Sequence, residues 1–168
     1  MTSFRELLKL LADAQVEFIV VGGVAAIAHG AARLTRDLEI VYRRTPENLR
    51  RIVDALTAYQ PYPRGAPPGL PFKWDDRTVR FGTNFTLHTT LGEIDLLGEI
   101  TGGGTYEQLV PRTKSVVVHG TSCLCLDLDQ LIHVKRAAGR PKDFEAIAEL
   151  EAIREERVRD DQRGSDSP

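Results

Sequence analysis

Residues 34–42 read LTRDLEIVY, and residues 92–100 read GEIDLLGEI. Side chains alternate between the two faces of an extended strand. Asp37 and Glu39 therefore share one face, while Leu38 and Ile40 point the other way into a core. Asp95 stands in the same relation to Ile94 and Leu96. If the two strands are neighbours, three carboxylates converge, and such a cluster repels itself unless cations occupy it. Hard oxygen donors with nothing softer nearby suit Mg²⁺ or Mn²⁺, so Asp37, Glu39 and Asp95 are the candidate metal ligands. Upstream, Gly22 and Gly23 follow the apolar run FIVV. That is a glycine turn from strand to helix, where backbone N–H groups can meet phosphate.

These residues together resemble the nucleotidyltransferase superfamily that includes DNA polymerase beta. Its pattern is a Gly-Gly or Gly-Ser turn after a first strand, an acid pair on the second strand and a third acid on a later one. Here it reads VGGVAAIAHGAARLTRDLEI, then EIDLL. The stretch from Gly23 to Asp37 has room for one short helix and a loop. R-x-T-x-D (Arg33, Thr35, Asp37) and the late segment LIHVKRAAGRPKDFEAIAEL are similar to the small bacterial AbiEii-like nucleotidyltransferases, over roughly residues 15–153. The resemblance implies a metal-dependent enzyme with Asp37, Glu39 and Asp95 catalytic, and a nucleoside triphosphate (NTP) as substrate. Asp37 and Glu39 would bridge two ions, and Asp95 would hold the one beside the nucleophile. Gly22, Gly23, Arg33, Thr35 and Lys135 would hold the nucleotide. The acceptor would be a hydroxyl on RNA, protein or a small molecule. A role as toxin, with an antitoxin protein as partner, is also implied. Two departures stand out. Gly23 occupies a position where many active members carry serine, and the second acid is Glu39 rather than aspartate. They keep open the alternative of a non-catalytic member of the same fold that binds nucleotide or a partner.

Outward from the motif, 168 residues suit one domain with a real core. We expect that domain over 1–158 and a disordered tail over 159–168 (RDDQRGSDSP). A net charge of −2 gives no global pull toward nucleic acid or acidic membrane. Arg33, Arg36, Arg43 and Arg44 bracket the acid pair, either as a local basic patch or as a solvated strand end. No run of about 18 apolar residues occurs, so no membrane partner is expected. The amphipathic start MTSFRELLKLLADA is unlike a signal peptide. Cys123 and Cys125 read as reduced core thiols of a cytoplasmic protein.

The pattern predicts a helix opened by a Ser3–Glu6 capping box, a strand over 17–21, a short helix after the glycines and a strand over 37–42. Thr45-Pro46-Glu47 starts another helix. Five prolines in 60–71 predict a surface loop without regular structure. Strand-like runs follow at 77–82, 84–90 and 92–97, then a capped turn of helix at Thr105, strands near 115–119 and 122–126, and two final helices separated by Gly139. This order implies an α+β fold: a mixed central β-sheet with helices mainly on one face. His29 reads as a helix-end histidine donating to a carbonyl, and Phe72 and Trp74 as anchors of core or loop. Lys135, Arg140 and Lys142 form a basic face on or between the last helices. Neither a nucleophile-elbow serine motif nor a Walker phosphate loop is present.

Overall fold

The computed structural model describes residues 1–165; positions 166–168, part of the expected tail, lie outside the described residues. Strands β1 (Phe18–Val21), β2 (Asp37–Tyr42), β3 (Tyr62–Pro63), β4 (Asn84–Thr89) and β5 (Gly92–Leu97) form most of the main sheet. A separate ribbon joins β6 (Glu99–Ile100) to β7 (Gly104–Thr105). The main sheet is completed by β8 (Thr113–Val118) and β9 (Thr121–Leu126), in the order β3-β4-β5-β2-β1-β9-β8. It is mixed: β1 runs antiparallel to β2 and parallel to β9, and β2 runs parallel to β5. All four side chains of β1 are buried, as a central strand covered on both faces requires.

The helices are α1 (Phe4–Asp13), α2 (Gly22–Ala28), α3 (Pro46–Thr57), α4 (Asp76–Phe81), α5 (Tyr106–Leu109), α6 (Leu128–Ala138) and α7 (Asp143–Ser165). They pack in two groups, α1 with α3 and α4, and α2 with α6 and α7. Leu8, Ile19, Ile40, Ile52 and Leu96 are fully buried between sheet and helices. Each such side chain contributes roughly 1.5–3 kcal/mol through its removal from water. The mixed central sheet with its helices is the α+β fold read from the sequence, the helices lying in the two groups just named. Among the described residues, no helix is long and apolar enough to cross a membrane.

Local chemistry sets most boundaries. Thr45 accepts from the Asn48 amide at 3.3 Å, and Asp127 accepts from the Gln130 amide at 2.7 Å. Gly139 closes α6 in the left-handed conformation, φ 63°. Several expectations are corrected. Residues 76–81 are helix rather than strand, because Asp75 accepts from the Thr78 amide at 2.8 Å and starts a turn. Within the proline-rich segment, Tyr62 and Pro63 pair with His88 and Leu87. Proline is tolerated there because β3 is an edge strand. Ser3 makes no side-chain cap; its amide instead donates to Leu91 O at 2.8 Å, tying α1 to the β4–β5 turn. Helix α7 continues through Ser165, over ground expected to be tail.

One buried polar residue joins three elements. Asn48, fully buried in α3, accepts from the Glu17 amide at 2.7 Å and donates to Glu17 O and Arg43 O at 3.0 and 2.7 Å. It pins the entry of β1 to the exit of β2. Asn48→Ala would leave buried backbone groups unpaired. We expect a loss on the order of 3 kcal/mol, read as a lower urea midpoint with an unchanged slope.

Candidate functional site

The β2–β5 pairing decides the site. Its parallel register sets Glu39 beside Asp95 and Asp37 beside Glu93. Four carboxylates thus form a row on one sheet face, while Leu38, Ile40, Ile94 and Leu96 are fully buried on the other. Three of the four are the acids singled out from the sequence. Glu93 is an addition, and its signal was present in the alternation E-I-D.

The second addition is Arg64, the residue after β3. Its Nη1 donates to Asp37 Oδ2 at 3.2 Å and its Nη2 to Asp95 Oδ1 at 2.8 Å. Its Nε lies 3.4 Å from Glu93 Oε2, close enough for ion pairing but without hydrogen-bond geometry. One guanidinium therefore sits among three acids. Burial pushes the Asp95 carboxyl up to about 6, with Asp37 and Glu39 adding to the rise and Arg64 opposing it.

Glu39 points elsewhere. Its Oε2 accepts from the Gly23 amide at 3.1 Å, at the start of α2. Gly22 has φ +65°, and a Cβ there would overlap the Glu39 carboxylate. Glycine at 22 is thus required both by the backbone and by Glu39. The Gly23 amide, read from the sequence as a phosphate donor, is here held by Glu39. A Cβ at Gly23 would lie 2.7 Å from Thr35 Cβ and 2.6 Å from Thr35 Oγ1. Thr35 in turn donates to Asp37 O at 3.3 Å. The Thr35 hydroxyl thus fills the space beside the turn that a serine at 23 would need.

The remaining nucleotide candidates lie around this centre. Arg33 is fastened to α7, with Nε donating to Glu149 Oε2 at 3.0 Å; Glu149 also accepts from the Ala32 amide at 2.7 Å. Lys135 comes from α6, and burial lowers its pKa against the pull of Asp143 and Glu39. Arg140 pairs with the buried Asp143 at 2.7 Å, which raises the arginine's pKa. Two cavities meet here. One, of about 550 Å³, carries both signs, with Arg33, Arg36, Arg64 and Lys142 facing Asp37, Glu93 and Asp143 in its wall. The other, of about 410 Å³, is walled by Gly22, Asn84, Leu97, Ile100 and Leu131. Glu39, Asp95, Lys135 and Arg140 line both.

Other candidates are structural. His29 Nε2 lies 2.7 Å from Leu126 O, and burial lowers its pKa. Trp74 donates to Val53 O at 3.1 Å and meets Phe85 edge-on. Cys123 and Cys125 are free and buried, their thiols pushed up to about 11 and about 12. At neutral pH they are protonated and inert.

The fit to a divalent cation is mixed. The donors are hard oxygens on adjacent strands in register, and the guanidinium among them marks a place for positive charge. In the present rotamers Asp37, Glu93 and Asp95 surround that guanidinium, while Glu39 does not reach it. Among the described residues, no group of three or more His, Cys, Asp or Glu side chains is set to hold a metal ion. The donor types suit a hard cation, while Arg64 occupies the gap between Asp37 and Asp95 and Glu39 is turned to the Gly23 amide.

No family model and no curated protein matches this chain. Solved structures do. The chain is similar to the lincosamide antibiotic adenylyltransferase LnuA, determined with lincomycin bound, at 16% identity and a TM-score of 0.58, covering 90% of this chain and 98% of that one. It is also similar to a proposed nucleotidyltransferase of Thermotoga maritima, at 15% identity and a TM-score of 0.54, covering 86% and 87%. The fold is that of the nucleotidyltransferases.

Two outcomes follow from this geometry. Asp95 titrates at about 6 when folded, against 3.8 ordinarily, so the folded state binds its proton more readily. Its contribution to stability is greatest below the unfolded pKa and is lost as pH rises through the folded one. In EDTA the melting temperature should fall between about pH 4 and about pH 6, and Asp95→Asn should flatten that fall. An unflattened profile would assign the titration elsewhere. Gly23→Ser should destabilise by about 1–3 kcal/mol through overpacking. Adding Thr35→Ala should recover most of the loss in a double-mutant cycle.

Proposed function

We propose that this chain is a metal-dependent nucleotidyltransferase that moves a nucleoside monophosphate from an NTP to a hydroxyl acceptor. The observation that carries this reading is the row Asp37, Glu39 and Asp95 at the junction of two cavities, on a fold shared with nucleotidyltransferases. The acceptor oxygen attacks the α-phosphorus and pyrophosphate leaves.

Asp37, Glu39 and Asp95 would hold Mg²⁺ or Mn²⁺, which would lower the pKa of the attacking hydroxyl and neutralise the leaving pyrophosphate. Asp95, with its raised pKa, would help take the hydroxyl's proton. Lys135 and Arg140 line both cavities and so can reach the phosphates from whichever side the nucleotide enters. The space beside Gly22 is held by the Glu39 carboxylate and would admit phosphate only with Glu39 turned away, and Thr35 would supply the hydroxyl that Gly23 lacks. Arg33 bounds the larger cavity but is also fastened to Glu149, so it shapes the wall as well as attracting phosphate.

The acceptor is RNA, protein or a small molecule. LnuA, named for a lincosamide antibiotic, makes small hydroxyl compounds one arm of any screen. Kinship to AbiEii-like proteins, with a toxin's role and a cognate antitoxin, is the more specific form of the proposal. A non-catalytic nucleotide- or partner-binding role is the second reading. It is favoured by Glu39 engaging the Gly23 amide and by Arg64 among the acids.

Incubation with each labelled NTP, Mg²⁺ and either total RNA, lysate protein or small hydroxyl compounds tests both readings. We expect label in one acceptor class, abolished by EDTA. Asp37→Asn should cut transfer on the order of a hundredfold or more while melting no lower than wild type, since one charge leaves a self-repelling row. Metal-dependent NTP binding without transfer to any acceptor would select the second reading.

A further inference from the structure

We propose that Arg64 is a positioning residue that acts as the resident counterion of the carboxylate row, and that a divalent cation can settle there only when the guanidinium swings out. This rests on the metal-dependent reading above. Arg64 Nη1 and Nη2 reach Asp37 and Asp95 at 3.2 and 2.8 Å, so the two acids on neighbouring strands share one cation. The same two acids are ligands in the proposed reaction. A guanidinium and a metal ion cannot both occupy the half-buried gap between them without strong like-charge repulsion. Without any cation, carboxylates fixed side by side by the strand register would repel one another, so the arginine keeps the apo row intact.

The exchange needs a side-chain rotation and no unfolding. The Arg64 amide donates to Thr86 O at 2.9 Å, which holds the backbone on the edge of β4. The guanidinium is tied to backbone only by a long contact to Leu87 O, 3.4 Å. Arg64 lines the cavity of about 550 Å³, whose wall of mixed charge leaves space for it. In that cavity the displaced charge faces the space where triphosphate would lie. The residue thus changes partner, from carboxylate to phosphate, as the metal enters.

Metal affinity follows the fraction of molecules with Arg64 out. Removing the competitor should therefore tighten Mn²⁺ binding on the order of tenfold. Titration calorimetry of the full chain with Mn²⁺ alone, without nucleotide, reads this directly. Arg64→Ala should bind more tightly than wild type, Arg64→Lys should fall between them, and Arg64→Ala with Asp37→Asn should lose the gain. A merely structural role would not raise metal affinity. Equal or weaker binding by Arg64→Ala overturns the proposal and leaves the metal site standing. No Mn²⁺ binding by any form removes the metal-dependent reading itself, and this inference with it. Should Arg64→Ala fail to fold, phenylglyoxal labelling of wild-type Arg64, followed by peptide mass spectrometry, decides. Mn²⁺ should speed labelling relative to EDTA, and an unchanged or slower rate overturns the exchange.

Discussion

The parallel pairing of β2 with β5 is the constraint on which the rest depends. A slip of one residue would turn Asp37 and Glu39 into the core and bring Leu38 and Ile40 to the cleft. The fully buried side chains on the far face prevent that slip, since Leu38, Ile40, Ile94 and Leu96 have no other place to go. The apolar half of each strand thereby fixes the position of its acidic half. Hydrophobic burial, which has no direction of its own, becomes directional through the alternation of the strand.

The same register creates an electrostatic problem that neighbouring elements solve differently. Glu39 is drawn aside to the Gly23 amide, at the positive end of α2. Asp37 and Asp95 share Arg64. Asp95 keeps a raised pKa because its burial outweighs the Arg64 guanidinium beside it. The row is therefore held in a poised rather than a relaxed state.

Much of this was legible in the chain itself. D-L-E and E-I-D announce strands with one acidic face, Gly22-Gly23 announces the turn, and Thr45-Pro46 and Gly139 announce helix ends. Those signals are local, spanning two to four residues. Arg64 was not legible, because it lies in a proline-rich segment and reaches its partners only through the three-dimensional course of β3 and β4. Helix α4 had a readable cap in Asp75 and Thr78, outweighed by the strand-forming residues after it. The outer part of α7 is polar on all sides, so no apolar stripe distinguishes it from a tail. The engagement of Gly23 by Glu39 also escaped local reading, since helix termini attract carboxylates and phosphates alike.

The order of the strands in the sheet bears on how the molecule is made. Strand β1 lies near the start of the chain, yet one of its neighbours is β9, with Ile19 opposite Leu124. Strand β2 waits for β5. The loop that carries Arg33 and Thr35 is fastened by Glu149, later still. During synthesis the two central strands therefore emerge first and are flanked last. Such distant pairings are slow to close and leave apolar strand edges exposed meanwhile. A nascent chain released before α7 carries the acids but lacks Glu149, which fastens the Arg33 loop beside them.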